Sequence, residues 1–206
     1  MRLLALVASV LIPVAVSGQS SPEADSLLAR QLALRVEADQ AARGLMTLAF
    51  EQGRPVSAAD GVLVGAIDSL NTAWLKGVVA KRGWPTISEV GEAGASDAWL
   101  LVQHADRDRP FQREVLGLME AAVAKGEASG SDFAYLTDRI RLAAGEPQVY
   151  GTQLNVVDGQ PVPSEIEDAD GVDARRAEVG LTPLEDYVEF FRQNVLGGTP
   201  RDEETP

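Results

Sequence analysis

Apolar residues recur at helical spacing through most of the chain, and one stretch instead has the composition of a strand. Ser21-Pro22-Glu23 predicts a helix start, with a capping side chain, a proline in the first turn and an acid at the positive end. Leu27, Leu28, Leu34, Leu45, Met46 and Leu48 then carry an apolar stripe toward Gly53. Ser57 or Asp60 opens a second helix through Val64, Ile67, Leu70, Trp74, Leu75 and Val78. It ends near Gly83, because Trp84-Pro85 forces an extended backbone. The stretch 86–94, with two glycines, reads as a loop.

A third helix is expected over 95–105 and a fourth over 111–125, separated by Asp108-Arg109-Pro110. Ser131-Asp132 caps a fifth, over 133–144, closed by Gly145. Residues 148–157 hold Val149, Tyr150, Thr152, Val156 and Val157, which suits a strand. Asp158-Gly159 is a hairpin turn signal, and Pro161 and Pro163 confine the return strand to an edge. Two more helices are expected over 170–179 and 183–194, the second opened by Thr182-Pro183. The fold class is therefore mainly α: six to seven helices with a small β-hairpin near residues 148–163.

The two ends read differently. Met1-Arg2 is positive, Leu3 to Val16 is apolar, and Ser17-Gly18-Gln19-Ser20 is small and polar. Residues 1–18 thus have the layout of a secretory signal peptide, cut before Gln19 or Gly18. The apolar run is shorter than the roughly 20 residues of a spanning helix, and Pro13 interrupts it. Residues 19–196 are expected to form a single helical domain and 197–206 a disordered tail. No second apolar run of spanning length is apparent, so the expected product is an exported protein, periplasmic or secreted, with no stable membrane anchoring after cleavage.

Composition narrows the chemistry. Lys+Arg number 18 and Asp+Glu 31, for a net charge of −13, which argues against nucleic acid or an anionic membrane as partner. The absence of cysteine excludes disulfides, thiolate metal sites and a cysteine nucleophile. A single histidine excludes any site needing two imidazoles. No phosphate-binding loop, dinucleotide fingerprint, nucleophile elbow or zincin motif occurs. No cofactor and no metal site is expected. Asp168 to Asp173 misplaces its glycine for a calcium loop.

The remaining candidates are polar residues in clusters. His104 ends the third helix in Gln103-His104-Ala105-Asp106, and imidazole is the usual general base at neutral pH. Asp138-Arg139 follows Tyr135 on the fifth helix, where an aspartate–arginine pair either presents a carboxylate and a guanidinium fork to a ligand or closes on itself. Asp138 is also three residues from Arg141, a spacing for local pairing. In Gln148-Val149-Tyr150-Gly151-Thr152-Gln153, Tyr150 and Gln153 can donate and accept hydrogen bonds, and Gly151 marks a close approach or a bulge. Asp39 and Arg43 are four apart on the first helix, and an exposed pair of that kind is worth little. Trp74, Trp84 and Trp99 suit a core better than a binding platform.

Gly83-Trp84-Pro85-Thr86, Gly91, Ala98-Trp99-Leu100, Gln103-His104-Ala105-Asp106, Asp138-Arg139 and the segment from Gln148 to Gln153 together form a pattern. Asp39-Gln40 with Arg43, Val172-Asp173-Ala174-Arg175-Arg176 and Gly180-Leu181-Thr182-Pro183-Leu184 through Tyr187 extend it. This pattern resembles an uncharacterised bacterial family, a domain of unknown function. The resemblance implies no activity; it implies that these polar residues belong to one site.

Two functions fit. In one, the domain binds an unknown small molecule or protein: a polar or anionic group held by Arg139, with Gln103, Tyr150 and Gln153 supplying directional hydrogen bonds. In the other it is a metal-independent hydrolase or transferase. His104 is then the general base, Asp138 or Asp106 orients it, and Arg139 with Gln153 stabilises developing negative charge. The second requires His104 to touch a carboxylate and face solvent.

Overall fold

A computed structural model describes residues 21–194. The expected leader over 1–18 and tail over 197–206 lie outside the described residues. Among the described residues the order is α1 (Pro22–Glu51), α2 (Ala58–Arg82), α3 (Ile87–Gln103), α4 (Arg109–Val123), α5 (Gly130–Ala143), β1 (Leu154–Val157), β2 (Gln160–Pro163), α6 (Val172–Glu178) and α7 (Leu184–Asn194). The mainly α class and the small hairpin hold.

The caps explain most boundaries. Ser21 Oγ accepts from Ala24 N, and Ser57 Oγ from Asp60 N, so each satisfies a donor the helix leaves orphaned. Asp108 does the same for Phe111 N at the head of α4. Asp158, at φ 50°, and Gly159, at φ 74°, give the left-handed turn that joins β1 to β2 antiparallel, with Leu154 opposite Pro163.

Four expectations need correction. The stretch 86–94 is not a loop. Thr86 and Glu89 form a capping box, and α3 starts at Ile87 and runs to Gln103, kinked at Gly91. The two glycines mislead because only one bends the chain. Gly91 takes φ 76°, whereas Gly94 lies against Val90 and Ala29, with a Cβ there falling 2.8 Å from that of Val90.

α5 is capped by Ser129, not Ser131-Asp132. The strand over 148–157 shrinks to Leu154–Val157. Gly151 sits at φ 67°, off the extended region, and Gln148 makes only an isolated parallel bridge to Ile166.

The fourth concerns spanning length: α2 is long and apolar enough to cross a membrane by length and composition. One side of it packs Leu75 and Val79 into the core. Asp68, Asn71 and Lys76 meet Arg43, Arg35 and Asp108.

α3 is the central element, in contact with α1, α2, α4 and α5. Leu32, Leu75, Leu101, Val102, Phe111 and Leu136 meet in one buried cluster. Each such side chain contributes roughly 1.5–3 kcal/mol by leaving water. The core therefore fixes the C-terminal end of α3, with His104 as its cap, between α1 and α2 on one side and α4 and α5 on the other.

Candidate functional site

The inward stripe of α1 runs Leu28, Leu32, Asp39, Ala42. Asp39 thus occupies a core position, and it is 1% exposed. A buried carboxylate needs partners, and three side chains supply them. His104 Nδ1 lies 3.1 Å from Oδ1 and 3.0 Å from Oδ2. Arg43 Nε donates to Oδ1 at 3.2 Å, and Gln40 Nε2 to Oδ2 at 2.8 Å. The same guanidinium reaches Asp68 of α2 at 2.5 Å. Burial by itself would raise the Asp39 pKa. The His104 hydrogen bond, the charges of His104 and Arg43, and the Gln40 amide outweigh it and hold the carboxyl below its ordinary value. At Asp68 burial wins over Arg43, and that carboxyl is pushed up.

His104 faces a cavity of about 490 Å³. Asp68, Ser69, Thr72, Ala73 and Lys76 of α2 form one wall, and Ala105, Arg107 and Asp108 form the other. An ionised carboxylate only accepts, so Nδ1 of His104 carries a proton, and in the neutral ring Nε2 is the atom left to accept one. No hydrogen bond occupies Nε2 among the described residues. Gln112, fully buried, donates to the carbonyls of Val102 and Gln103 at 3.0 and 3.3 Å. Both carbonyls lie at the end of α3, where that of Val102 also accepts from Ala105 N, so Gln112 braces the turn that presents His104.

Asp39, Asp68 and His104 each offer one potential metal-ligand atom, all within 4.8 Å of one another. Arg43 already bridges the two carboxylates.

Of the catalytic and ligand-binding candidates named from the sequence, only His104 lines this cavity. Its orienting carboxylate is Asp39 of α1, not Asp138 or Asp106. Asp138 is 0% exposed and holds the following loop: it accepts from Val149 N at 2.8 Å, Tyr150 N at 3.0 Å, Thr152 N at 2.8 Å and Thr152 Oγ1 at 2.9 Å. It does not pair with Arg141, which instead donates to the Pro147 carbonyl and to Glu167.

Arg139 is spent on Asp106, with bonds of 3.1 and 2.7 Å in a fork. Gln153 donates through Nε2 to Thr152 Oγ1 and through its backbone to Gln148 Oε1. Tyr150 gives its amide to Asp138 and its carbonyl to Arg176. Gln103 is the last residue of α3, its carbonyl taken by Gln112. These four expected ligand contacts therefore lie outside the cavity, and the polar pattern divides between two places. The tryptophans share no platform. Trp84 is in the core, Trp74 lies under Arg35, and Trp99 meets Tyr135 edge to face.

Asp68, Thr72, Lys76 and Arg107 went unnoticed in the sequence. The signal for Asp39 was present: a carboxylate in the Leu28–Leu32–Ala42 stripe is buried if the helix is. Gly65, Asp68, Thr72 and Leu75 likewise share one face of α2, but that face reads as half polar until α3 is placed beside it.

A family model described as a family of unknown function, DUF6624, matches residues 26–197. The chain belongs to DUF6624. The match spans both polar regions, from Asp39 to Tyr187, so the resemblance seen in the sequence holds. It attaches no activity to DUF6624. No curated protein and no solved structure matches the chain.

Proposed function

We propose that this DUF6624 protein binds a small polar or anionic molecule in the cavity between α2 and the α3–α4 turn. There His104, oriented by Asp39, acts on it as a general base in a hydrolytic or transfer reaction. The observation that carries this reading is that the one imidazole is hydrogen-bonded to a buried carboxylate through Nδ1 and faces a cavity with the rest of its ring. A positioned base of this kind takes a proton from water or a substrate hydroxyl as the new bond forms, and returns it to the leaving group. Asp39 holds the ring in the reactive tautomer and steadies the imidazolium that forms. Arg43 bridges Asp39 and Asp68 and offsets their mutual repulsion, a role that a bound divalent ion would otherwise have to fill. The catalytic assignment replaces Asp138, whose four donors leave it no oxygen for substrate. Action outside the cytoplasm is part of the proposal, supported by the charged start and apolar run of residues 1–16.

The single histidine makes a clean test. Diethyl pyrocarbonate should modify one equivalent of His104 in the folded protein, because Nε2 is open. In a panel of p-nitrophenyl carboxylic and phosphoric esters, His104→Gln should lose about 10²–10⁴-fold of any turnover the wild type shows. EDTA should leave that turnover unchanged. Modification of His104 only after unfolding, or equal turnover by His104→Gln, would overturn the reading.

A further inference from the structure

Around the cavity every charge but one is matched among the described residues. Arg43 meets Asp39 and Asp68. Lys76 meets Asp108 at 2.5 Å and lies over the Phe111 ring. Arg107 makes no hydrogen bond or ion pair with a described residue, yet it lines the cavity beside His104. The residue is exposed, on a turn whose backbone is held in place. The turn that carries it is pinned, because Asp108 N donates to the Ala105 carbonyl at 2.9 Å and Asp108 caps α4.

The guanidinium lies against the backbone of α2 at Gly65. A Cβ at that position would fall 3.1 Å from one terminal nitrogen, 3.2 Å from the other and 3.3 Å from Cζ. Gly65 is buried inside α2, at a helical position where alanine would favour the helix. The glycine therefore costs the helix stability and gives the guanidinium room to lie close.

We propose that Arg107, bedded on Gly65, is the anion subsite of this cavity, and that the molecule bound there carries an oxyanion, carboxylate or phosphate. The planar fork of an arginine matches two oxygens of either group. This proposal rests on the cavity being the binding site. It deepens that reading by fixing the substrate class and by assigning the group that positions the substrate against His104. A net charge of −13 repels anions at a distance, so selection has to come from this contact and not from long-range steering.

The test is calorimetric titration of the full-length protein with inorganic phosphate and, separately, with acetate, at pH 7 and low salt. The wild type should bind at least one of them saturably, and the stronger of the two tells which oxyanion the site takes. Arg107→Gln should weaken that binding about tenfold or more, as expected for loss of a charged bidentate contact. Gly65→Ala should weaken it too, by crowding the guanidinium, while its Tm stays level or rises because alanine is the better helix former. Loss of binding with gain of stability is a signature that mere damage to the fold does not produce. His104→Gln should keep binding within about threefold, since the base is not the anion contact. Failure of the general-base reading thus leaves this result standing. Wild-type affinity in Arg107→Gln or Gly65→Ala, or no saturable binding of either anion by the wild type, would overturn the proposal.

Discussion

Asp39 and Asp138 are buried almost equally, at 1% and 0% exposure, in opposite chemical settings. Asp138 is saturated. Three backbone amides and one hydroxyl, all within 3.0 Å, tie α5 to the segment 149–152. Further bonds close around the same segment. Arg176 donates to the carbonyls of Tyr150 and Thr182, and Tyr187 Oη donates to the Thr152 carbonyl. Gly151 is enclosed as well: a Cβ there would lie 2.9 Å from Ile166. Among the described residues, the donors to Asp138 leave neither of its oxygens for a ligand. Asp39 instead spends its oxygens on groups that carry charge or can take it up, Arg43 and His104, and one of them opens onto a cavity. A buried carboxylate closed by backbone amides is a fastener. One that is closed by an imidazole facing solvent is a setting for chemistry.

The largest expected effect lies on the fastener. Asp138→Ala would leave four donors without an acceptor inside the fold. Each orphaned buried group costs about 1–3 kcal/mol, and relaxation recovers part of the sum, so a loss of about 3–5 kcal/mol is expected in urea unfolding. Reactivity of His104 toward diethyl pyrocarbonate should be unchanged in whatever fraction stays folded. A loss under about 1 kcal/mol would show that the segment 149–152 does not depend on Asp138.

A smaller stability effect, with a larger chemical one, is expected at Asp39. Asp39→Asn keeps the shape but removes the charge that Arg43 and His104 share, at a cost of about 1–3 kcal/mol near neutral pH. The folded carboxyl titrates below its unfolded value of about 3.9. Its contribution is therefore complete above that value and fades as pH falls through the lower folded one. The stability gap between wild type and Asp39→Asn should narrow on acidification below about pH 4. Diethyl pyrocarbonate should modify His104 more slowly in the variant at pH 7, because a neutral amide holds the ring less firmly with Nε2 toward the cavity. An unchanged modification rate would reduce Asp39 to a fastener of the same kind as Asp138.

This contrast also shows what the sequence could reveal. The helices were legible because stripes and caps agree, as at Ser21 and Ser57. The capping box of Thr86 and Glu89 was legible too, but the glycines at 91 and 94 masked it. The shortened strand was not legible. What holds residues 149–152 outside the hairpin is a carboxylate on α5, a tertiary contact with no local signal. His104 could be named from residue type alone. Its partner could not be assigned, because Asp39 is 65 positions away and the nearer Asp106 and Asp138 offered themselves. Local spacing paired Asp39 with Arg43 correctly, yet it gave no sign that the pair is buried or that Arg43 also reaches Asp68.

A third carboxylate sharpens the comparison with the smallest effect. Among the described residues Asp132, in the first turn of α5, has neither a set of amides nor a cation beside it, and it hydrogen-bonds Ser96. Burial dominates, and the group is pushed up to about 6. The positive end of the helix dipole acts in the opposite direction and does not prevail. Between about pH 4, where the unfolded group ionises, and about pH 6, the folded state binds more protons. Stability from this residue therefore falls as pH rises through that window, and it stays reduced above it. Asp132→Asn retains a hydrogen-bonding partner for Ser96 and has no charge to bury. It should match the wild type near pH 4 and exceed it above pH 6, by about 1 kcal/mol once partial exposure is allowed for. Urea unfolding of both proteins between pH 4 and 8 reads the difference directly. A gap that does not change with pH would mean that Asp132 ionises as easily in the folded chain as in water. Burial without a donor or a cation would then not be what separates this carboxylate from Asp39 and Asp138.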